Sequence, residues 1–233
     1  AKAFQSRLES LGLKVYRHYH IEGYPHNIPL IVSDDGYGKN EYIETTRELI
    51  VITAPGPGSG KMATCLSQLY HDYRRGIKAG YAKYETFPIW NLPLNHPVNM
   101  AYEAATADLN DVNMIDPYHL AEYNKVAVNY NRDIEIFPVL NALFEKLMGH
   151  SPYKSPTDMG VNMAGYAICD EEGCCEASKQ EIIPPYFAPT VAKRKGAESG
   201  DEEGKISLIM EKAGFKVESR GAVTAANPGK ERT

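Results

Sequence analysis

Leu49-Ile50-Val51-Ile52-Thr53-Ala54-Pro55-Gly56-Pro57-Gly58-Ser59-Gly60-Lys61 is the stretch on which the reading of this chain turns. Five residues with uninterrupted aliphatic character read as a parallel strand covered on both faces. A Gly/Pro turn follows. From Lys61 to Arg75, Met62, Cys65, Leu66, Leu69, Tyr70 and Tyr73 then recur at helical spacing as one apolar stripe. A strand, a glycine-rich turn and a helix in that order aim backbone N–H groups at one point. The helix N-terminus adds partial positive charge there, which suits a phosphate or another anion. Gly56, Gly58, Ser59 and Gly60 are the candidate cradle, and Lys61 is the candidate counter-charge.

The letters depart from a nucleotide P-loop. In G-x-x-x-x-G-K-[ST], counting back from Gly60-Lys61 places Pro55 where the first Gly belongs, and Met62 stands where the Mg²⁺-binding hydroxyl belongs. Thr64 and Ser67 lie nearby in sequence but at other turn positions. Mg²⁺ is therefore a weak expectation, and a nucleotide or phosphate the stronger one.

Outward toward the N-terminus, Pro29-Leu30-Ile31-Val32-Ser33-Asp34 reads as a second buried strand, and Leu13 to Ile21 alternates like a half-buried one. Phe4, Leu8 and Leu11 precede them at helical spacing, with Gly12 as a stop. Ligands of open α/β sheets lie beyond the carboxyl ends of strands. Asp34, Lys39 and Asn40, from the loop after the second strand, are thus expected to face the glycine loop across a crevice, with Thr64. The expected fold is α/β: a parallel-sheet layer with a P-loop-like strand-loop-helix over residues 1–94.

Toward the C-terminus the pattern changes. Helical periodicity returns at Val98–Leu109, Pro117–Tyr123 and Ile136–Met148, where Pro138 is compatible only with a first turn. A mainly helical subdomain over 95–189 is expected, with Pro184, Pro185 and Pro189 breaking a helix that starts near Glu176. Residues 190–233 read as a linker, a short helix at Ile206–Ala213 capped by Gly214, and a disordered tail.

Other chemistry is sparse. Asp108, Asn110, Asp111, Asn113 and Asp116 form an acidic-amide cluster without an EF-hand's Gly and terminal Glu, so caps and turns explain them more simply. Ser151 to Asp158 is a Pro-rich loop with many hydroxyls, best read as a packed connection. His18 and His20 share a strand face and His26 follows in the next loop; they suit Zn²⁺ or Cu²⁺ only if they converge, and surface or loop histidines are the simpler reading. Cys169, Cys174 and Cys175 lack C-x-x-C spacing, Cys65 lies on the apolar stripe, and no metal is assigned.

Composition bounds the remaining classes. The 233 residues carry 25 basic and 30 acidic groups, a net charge of −5, which argues against a nucleic-acid backbone binder. The longest stretch free of Asp, Glu, Lys and Arg, Thr86 to Tyr102, contains three prolines and no bilayer-length apolar run. Four cysteines are too few for a disulfide scaffold. A cytoplasmic protein with a small phosphorylated ligand, no nucleic acid, no membrane and homo-oligomeric association is expected.

Val32 to Asn40 (VSDDGYGKN), Thr53 to Thr64 (TAPGPGSGKMAT), Cys65 to His71, Lys83 to Pro97, Ala104 to Pro117 (AATADLNDVNMIDP), Asn129 to Phe137 and Ser151 to Gly165 together resemble one bacterial family. It is the uncharacterised protein family 0371, also called domain of unknown function 1846, and the resemblance runs from Phe4 to Ile183. It implies an α/β protein with additional subdomains, considerably longer than this chain at both ends, so that this chain is a fragment. It implies that GPGSGKM is the family's own pattern, so Met62 is not damage to an NTPase motif. The departure comes after Ile183, where Pro184, Pro185 and Pro189 replace an expected basic helix. The family has no assigned activity, so two expectations stand side by side. One is an enzyme of phosphoryl or nucleotide chemistry. The other is a non-catalytic binding or assembly protein in which the loop is structural or a generic anion site.

Overall fold

In a computed structural model, the described residues are 2–54, 59–84, 88–160, 163–187, 200–218 and 222–225. Among them the architecture is mainly helical. Its helices are α1 (Lys2–Ser10), α2 (Ile28–Ile31), α3 (Lys61–Arg74), α4 (Pro97–Ala105), α5 (Pro117–Tyr123), α6 (Asn131–Met148), α7 (Glu171–Phe187) and α8 (Gly200–Lys212). The described strands are β1 (Asn113–Ile115), β2 (Val128–Tyr130), β3 (Phe215–Glu218) and β4 (Ala222–Ala225), and they form two separate antiparallel pairs. In the first, Asn113 faces Tyr130 and Ile115 faces Val128. In the second, Phe215 faces Ala225 and Glu218 faces Ala222.

The expected parallel-sheet layer is therefore wrong. None of its three strands forms. Leu49–Thr53 joins neither sheet, and Leu49 and Val51 are 81% and 72% exposed. An aliphatic run becomes a buried strand only when neighbours supply both its ladder bonds and its covering faces, and none of the described strands lies beside this one. Pro29–Asp34 instead starts inside the one-turn helix α2, with Pro29 in its first turn. The turn after it closes tightly: Ser33 Oγ donates to the Leu30 carbonyl at 2.6 Å, and a Cβ on Gly36 would lie 2.1 Å from that same oxygen.

Leu13–Ile21 does run beside 40–44, but its amides go to side chains. Arg17 N donates to Glu41 Oε2 at 2.7 Å and Tyr19 N to Asn40 Oδ1 at 2.8 Å, while Glu41 N donates to the Arg17 carbonyl at 3.0 Å. Side-chain acceptors thus replace rungs of a ladder.

Helical expectations fared better. α3 and α5 lie where the periodicity placed them. α6 begins five residues earlier than expected, at Asn131, so Pro138 sits in its interior rather than its first turn. An interior Pro costs roughly 3 kcal/mol; burial of Phe137, Leu140, Leu143 and Phe144 around it offsets that. Likewise α7 starts at Glu171 and continues through Pro184 and Pro185 to Phe187. The carbonyls those prolines cannot serve belong to Gln180 and Glu181, which are exposed residues. Pro189 and most of the expected linker lie outside the described residues. α8 takes in Gly200 to Gly204 as well as Ile206, and Gly214 follows it at φ +87.

The chain divides into two compact units. The first comprises Ala1–Ala82 and Pro138–Pro152, the second Lys83–Phe137 and Tyr153–Thr233. In the first, Ile31, Tyr37, Leu66, Leu140, Leu143 and Phe144 are almost wholly buried. In the second, α4, α7 and α8 pack Met100, Ala104, Ile182, Ile206, Ile209 and Met210 into one core, with Ala107 beside them.

Candidate functional site

The described part of the glycine loop is the start of α3. Gly60 is the N-cap residue, at φ +86 and ψ +13, a left-handed conformation that favours glycine. As a glycine it offers no side-chain cap, and the first turn holds no acidic residue. Lys61 is the first helical residue and its Nζ donates to Ser59 Oγ at 3.4 Å. Thr64 N donates to the Gly60 carbonyl at 3.0 Å, which closes the first turn. Gly56 and Gly58 lie outside the described residues.

The expected partners across the crevice go elsewhere. Asp34 Oδ1 accepts from Tyr70 Oη at 2.9 Å and is ion-paired with Arg74. At 1.5 Å per residue, Tyr70 lies about 13 Å along α3 from Lys61. Burial raises the Tyr70 phenol, as does its bond to Asp34. Lys39 pairs with Asp35 at 3.2 Å on the surface. Asn40 is buried, donating to Ser67 Oγ at 2.9 Å while accepting from Tyr19 N. Next to it, Gln68 takes both backbone groups of Ile43. Loop 33–40 is thus bound along the middle and far end of α3, and of the expected crevice group Thr64 alone sits on the first turn.

The acidic-amide cluster serves turns and caps. Asp116 is fully buried and caps α5: its Oδ1 accepts from Tyr118 N at 2.9 Å and His119 N at 3.0 Å, and its Oδ2 from Thr157 Oγ1 at 2.6 Å and Thr157 N at 3.2 Å. Asn110 takes a left-handed turn at φ +57, and Asp111 pairs with Arg132 at 2.9 Å. Burial raises the Glu103 carboxyl, opposed by its bond to Asn113 N.

The same region holds a serine, a histidine and an aspartate in contact. Ser155 Oγ lies 3.0 Å from His119 Nδ1, and Asp158 Oδ1 lies 3.7 Å from that same nitrogen. A nucleophilic triad needs the serine and the acid on opposite ring nitrogens. Here both face Nδ1, Ser155 is fully buried, and its Oγ also accepts from Asp158 N at 3.1 Å. Asp158 in turn accepts from the Lys154 and Ser155 amides. The arrangement folds a loop, which agrees with reading 151–158 as a packed connection.

A group that sequence spacing did not single out lies on α4 and α7. His96 precedes Pro97 and caps α4: Val98 N donates to its Nδ1 at 3.3 Å. That leaves the ring proton on Nε2, which donates to Glu171 Oε1 at 2.8 Å. Cys175, one turn beyond Glu171, places its Sγ 3.7 Å from Nε2 and 3.7 Å from Oε1. His96 is buried, while Glu171 is 63% exposed. Burial and the Glu171 carboxylate raise the Cys175 thiol, so it is protonated at neutral pH. The local signals for the pieces exist, since Pro at the first helical position marks a helix start and i,i+4 residues share a face. The 74 residues between His96 and Glu171 carry no signal that they meet.

Among the described residues no helix is long and apolar enough to cross a membrane. Comparison with known proteins agrees with the resemblance. A family model described as "Domain of unknown function DUF1846, N-terminal" matches residues 1–214. UPF0371 protein cu0538 of Corynebacterium urealyticum and a UPF0371 protein of Corynebacterium glutamicum are each 59% identical over all 233 residues. UPF0371 protein SpyM50764 of Streptococcus pyogenes is 58% identical over the same length. In each case the chain covers 100% of itself and 47% of the relative, so it spans about half the length of the curated relatives it matches. The chain therefore belongs to the DUF1846 (UPF0371) family, a bacterial family of unknown function.

Proposed function

We propose that the chain binds a phosphorylated small molecule, a nucleotide being the leading class, at the amino end of α3. The observation that carries this reading is the left-handed glycine start of that helix, with a lysine and no acid in its first turn. Gly60 turns left-handed and offers no side-chain cap, the first turn contains no acidic residue, and Lys61 stands at the first helical position. Backbone N–H groups and the helix field favour an anion there, and Lys61 adds a full charge. Gly56, Gly58 and Ser59 complete the proposed cradle. Asp34, Lys39 and Asn40 are not part of it, because Asp34 and Asn40 are bonded farther along α3 and Lys39 pairs with Asp35 in its own loop. Met62 in place of a hydroxyl argues for binding without a P-loop's Mg²⁺ ligand.

Thermal shift tests it, with ATP, ADP, GTP, sugar phosphates, phosphate and sulfate, each with and without Mg²⁺. A ligand at 100 times its Kd stabilises by about 2.7 kcal/mol, a Tm rise of about 5 to 10 °C at this size. A nucleotide-selective rise that Lys61→Ala abolishes, without lowering the apo Tm, is the expected result. Equal rises from every anion reduce the site to a generic helix end, and no rise overturns it.

A second reading, an assembly protein with a structural loop, is favoured by the exposure of Leu49, Ile50 and Val51. Light scattering at rising concentration checks it; a monomer throughout rejects homo-oligomeric assembly.

A further inference from the structure

We propose that His96 Nε2, Glu171 Oε1 and Cys175 Sγ form a binding site for a divalent first-row transition-metal ion of the zinc class. These three atoms come from two elements, the amino end of α4 and the first two turns of α7, and lie within 4.8 Å of one another. One nitrogen, one oxygen and one sulfur ligand suit zinc or cobalt, and three protein ligands leave a fourth position for water or substrate.

The spacings can be tested against coordination geometry. With Zn–S near 2.3 Å and Zn–N and Zn–O near 2.0 Å, tetrahedral angles put sulfur about 3.5 Å from each lighter ligand and nitrogen about 3.3 Å from oxygen. The two sulfur edges are both 3.7 Å, and the nitrogen–oxygen edge is 2.8 Å. The sulfur edges thus need almost no movement. The third is shorter because a proton, not a metal, bridges it. Opening it by about half an ångström asks little, since Glu171 is an exposed residue on a four-bond stem.

Binding is balanced in protons. The Cys175 thiol proton leaves to solvent as Sγ bonds the ion. The His96 proton moves from Nε2 to Nδ1, which gives up the long bond from Val98 N at 3.3 Å. The ion also enters a favourable field. Cys175 lines an open depression with Asp170, Glu172, Gly173, Glu176 and Lys179, three acids against one base. Glu172 and Glu176 follow the ligand pair on the same helix.

The test is titration of the reduced 233-residue chain with Co²⁺, followed by absorbance. The expected result is one equivalent of Co²⁺ giving thiolate-to-cobalt charge transfer and intense tetrahedral d–d bands, displaced by Zn²⁺. Cys175→Ser is expected to abolish the charge-transfer band, and Glu171→Gln to weaken binding at least tenfold. Cys169→Ser and Cys174→Ser are expected to leave the spectrum unchanged. Glu171→Gln alters an exposed side chain, so its result stands even where a change at His96 unfolds α4. No charge-transfer band from the parent chain in excess Co²⁺ overturns the proposal. So does a band that survives Cys175→Ser.

Discussion

Gly36 is a position where a single atom decides the backbone. Its Cβ would stand 2.1 Å from the Leu30 carbonyl oxygen and 2.4 Å from that of Ile31, both fixed main-chain atoms rather than yielding side-chain ends. Gly36→Ala is expected to destabilise by about 2–4 kcal/mol, because the turn after α2 must open to admit a methyl. Gly80, where a Cβ meets nothing within 4 Å, is the control, and Gly80→Ala should leave Tm unchanged or slightly raised. Denaturant titration of both variants checks this, and equal midpoints would reject the tight turn. The sequence shows a glycine at each position and nothing to rank them. The difference comes from what the folded chain brings alongside.

At the level of elements, caps and periodicity were the readable part. The stripe from Met62 to Tyr73 placed α3, and Asp116-Pro117 opens α5 with a side-chain cap and Pro at the first position. Asp116 does more than cap, since Thr157, 41 residues away, gives it two further bonds. Asp116→Ala removes four hydrogen bonds at a fully buried site and is expected to cost about 3 kcal/mol or more. Urea unfolding followed by circular dichroism reads it; a loss under about 1 kcal/mol, the size of an ordinary cap, would mean the Thr157 bonds add nothing. The prolines misled in the other direction. Pro138, Pro184 and Pro185 argue for helix ends by local rules, yet α6 and α7 run through them. Tertiary burial around Phe137 and Leu140 outweighs the penalty in α6. In α7 the two turns that lose a bond carry the exposed residues Gln180 and Glu181.

For the whole molecule, the separation of apolar residues into buried and exposed sets is the main result. Leu49 and Val51 sit in the most strand-like run of the chain and are exposed, while Leu143 of α6 is completely buried. Leu143→Ala is expected to cost about 2–5 kcal/mol. Leu49→Ser and Val51→Ser should each change stability by no more than about 0.5 kcal/mol. Thermal denaturation of the three variants compares them directly, and a large loss at Leu49 would mean that the run is covered after all.

The linear chain determined what depends on neighbours within a turn or two: the helical stripes of α3 and α6, the caps of α5 and α8, and the long family strings that identify its relatives. Tertiary structure decided whether an apolar run becomes a strand, because a strand's backbone bonds and both its faces come from other segments. It decided which loop reaches which end of α3, sending Asp34 to Tyr70 and Arg74 instead of Lys61. It also brought His96 to Glu171 and Cys175 across 75 and 79 residues. Periodicity extends over the few residues that share a helix face, and only packing of α4 against α7 sets a distance between atoms so far apart along the chain.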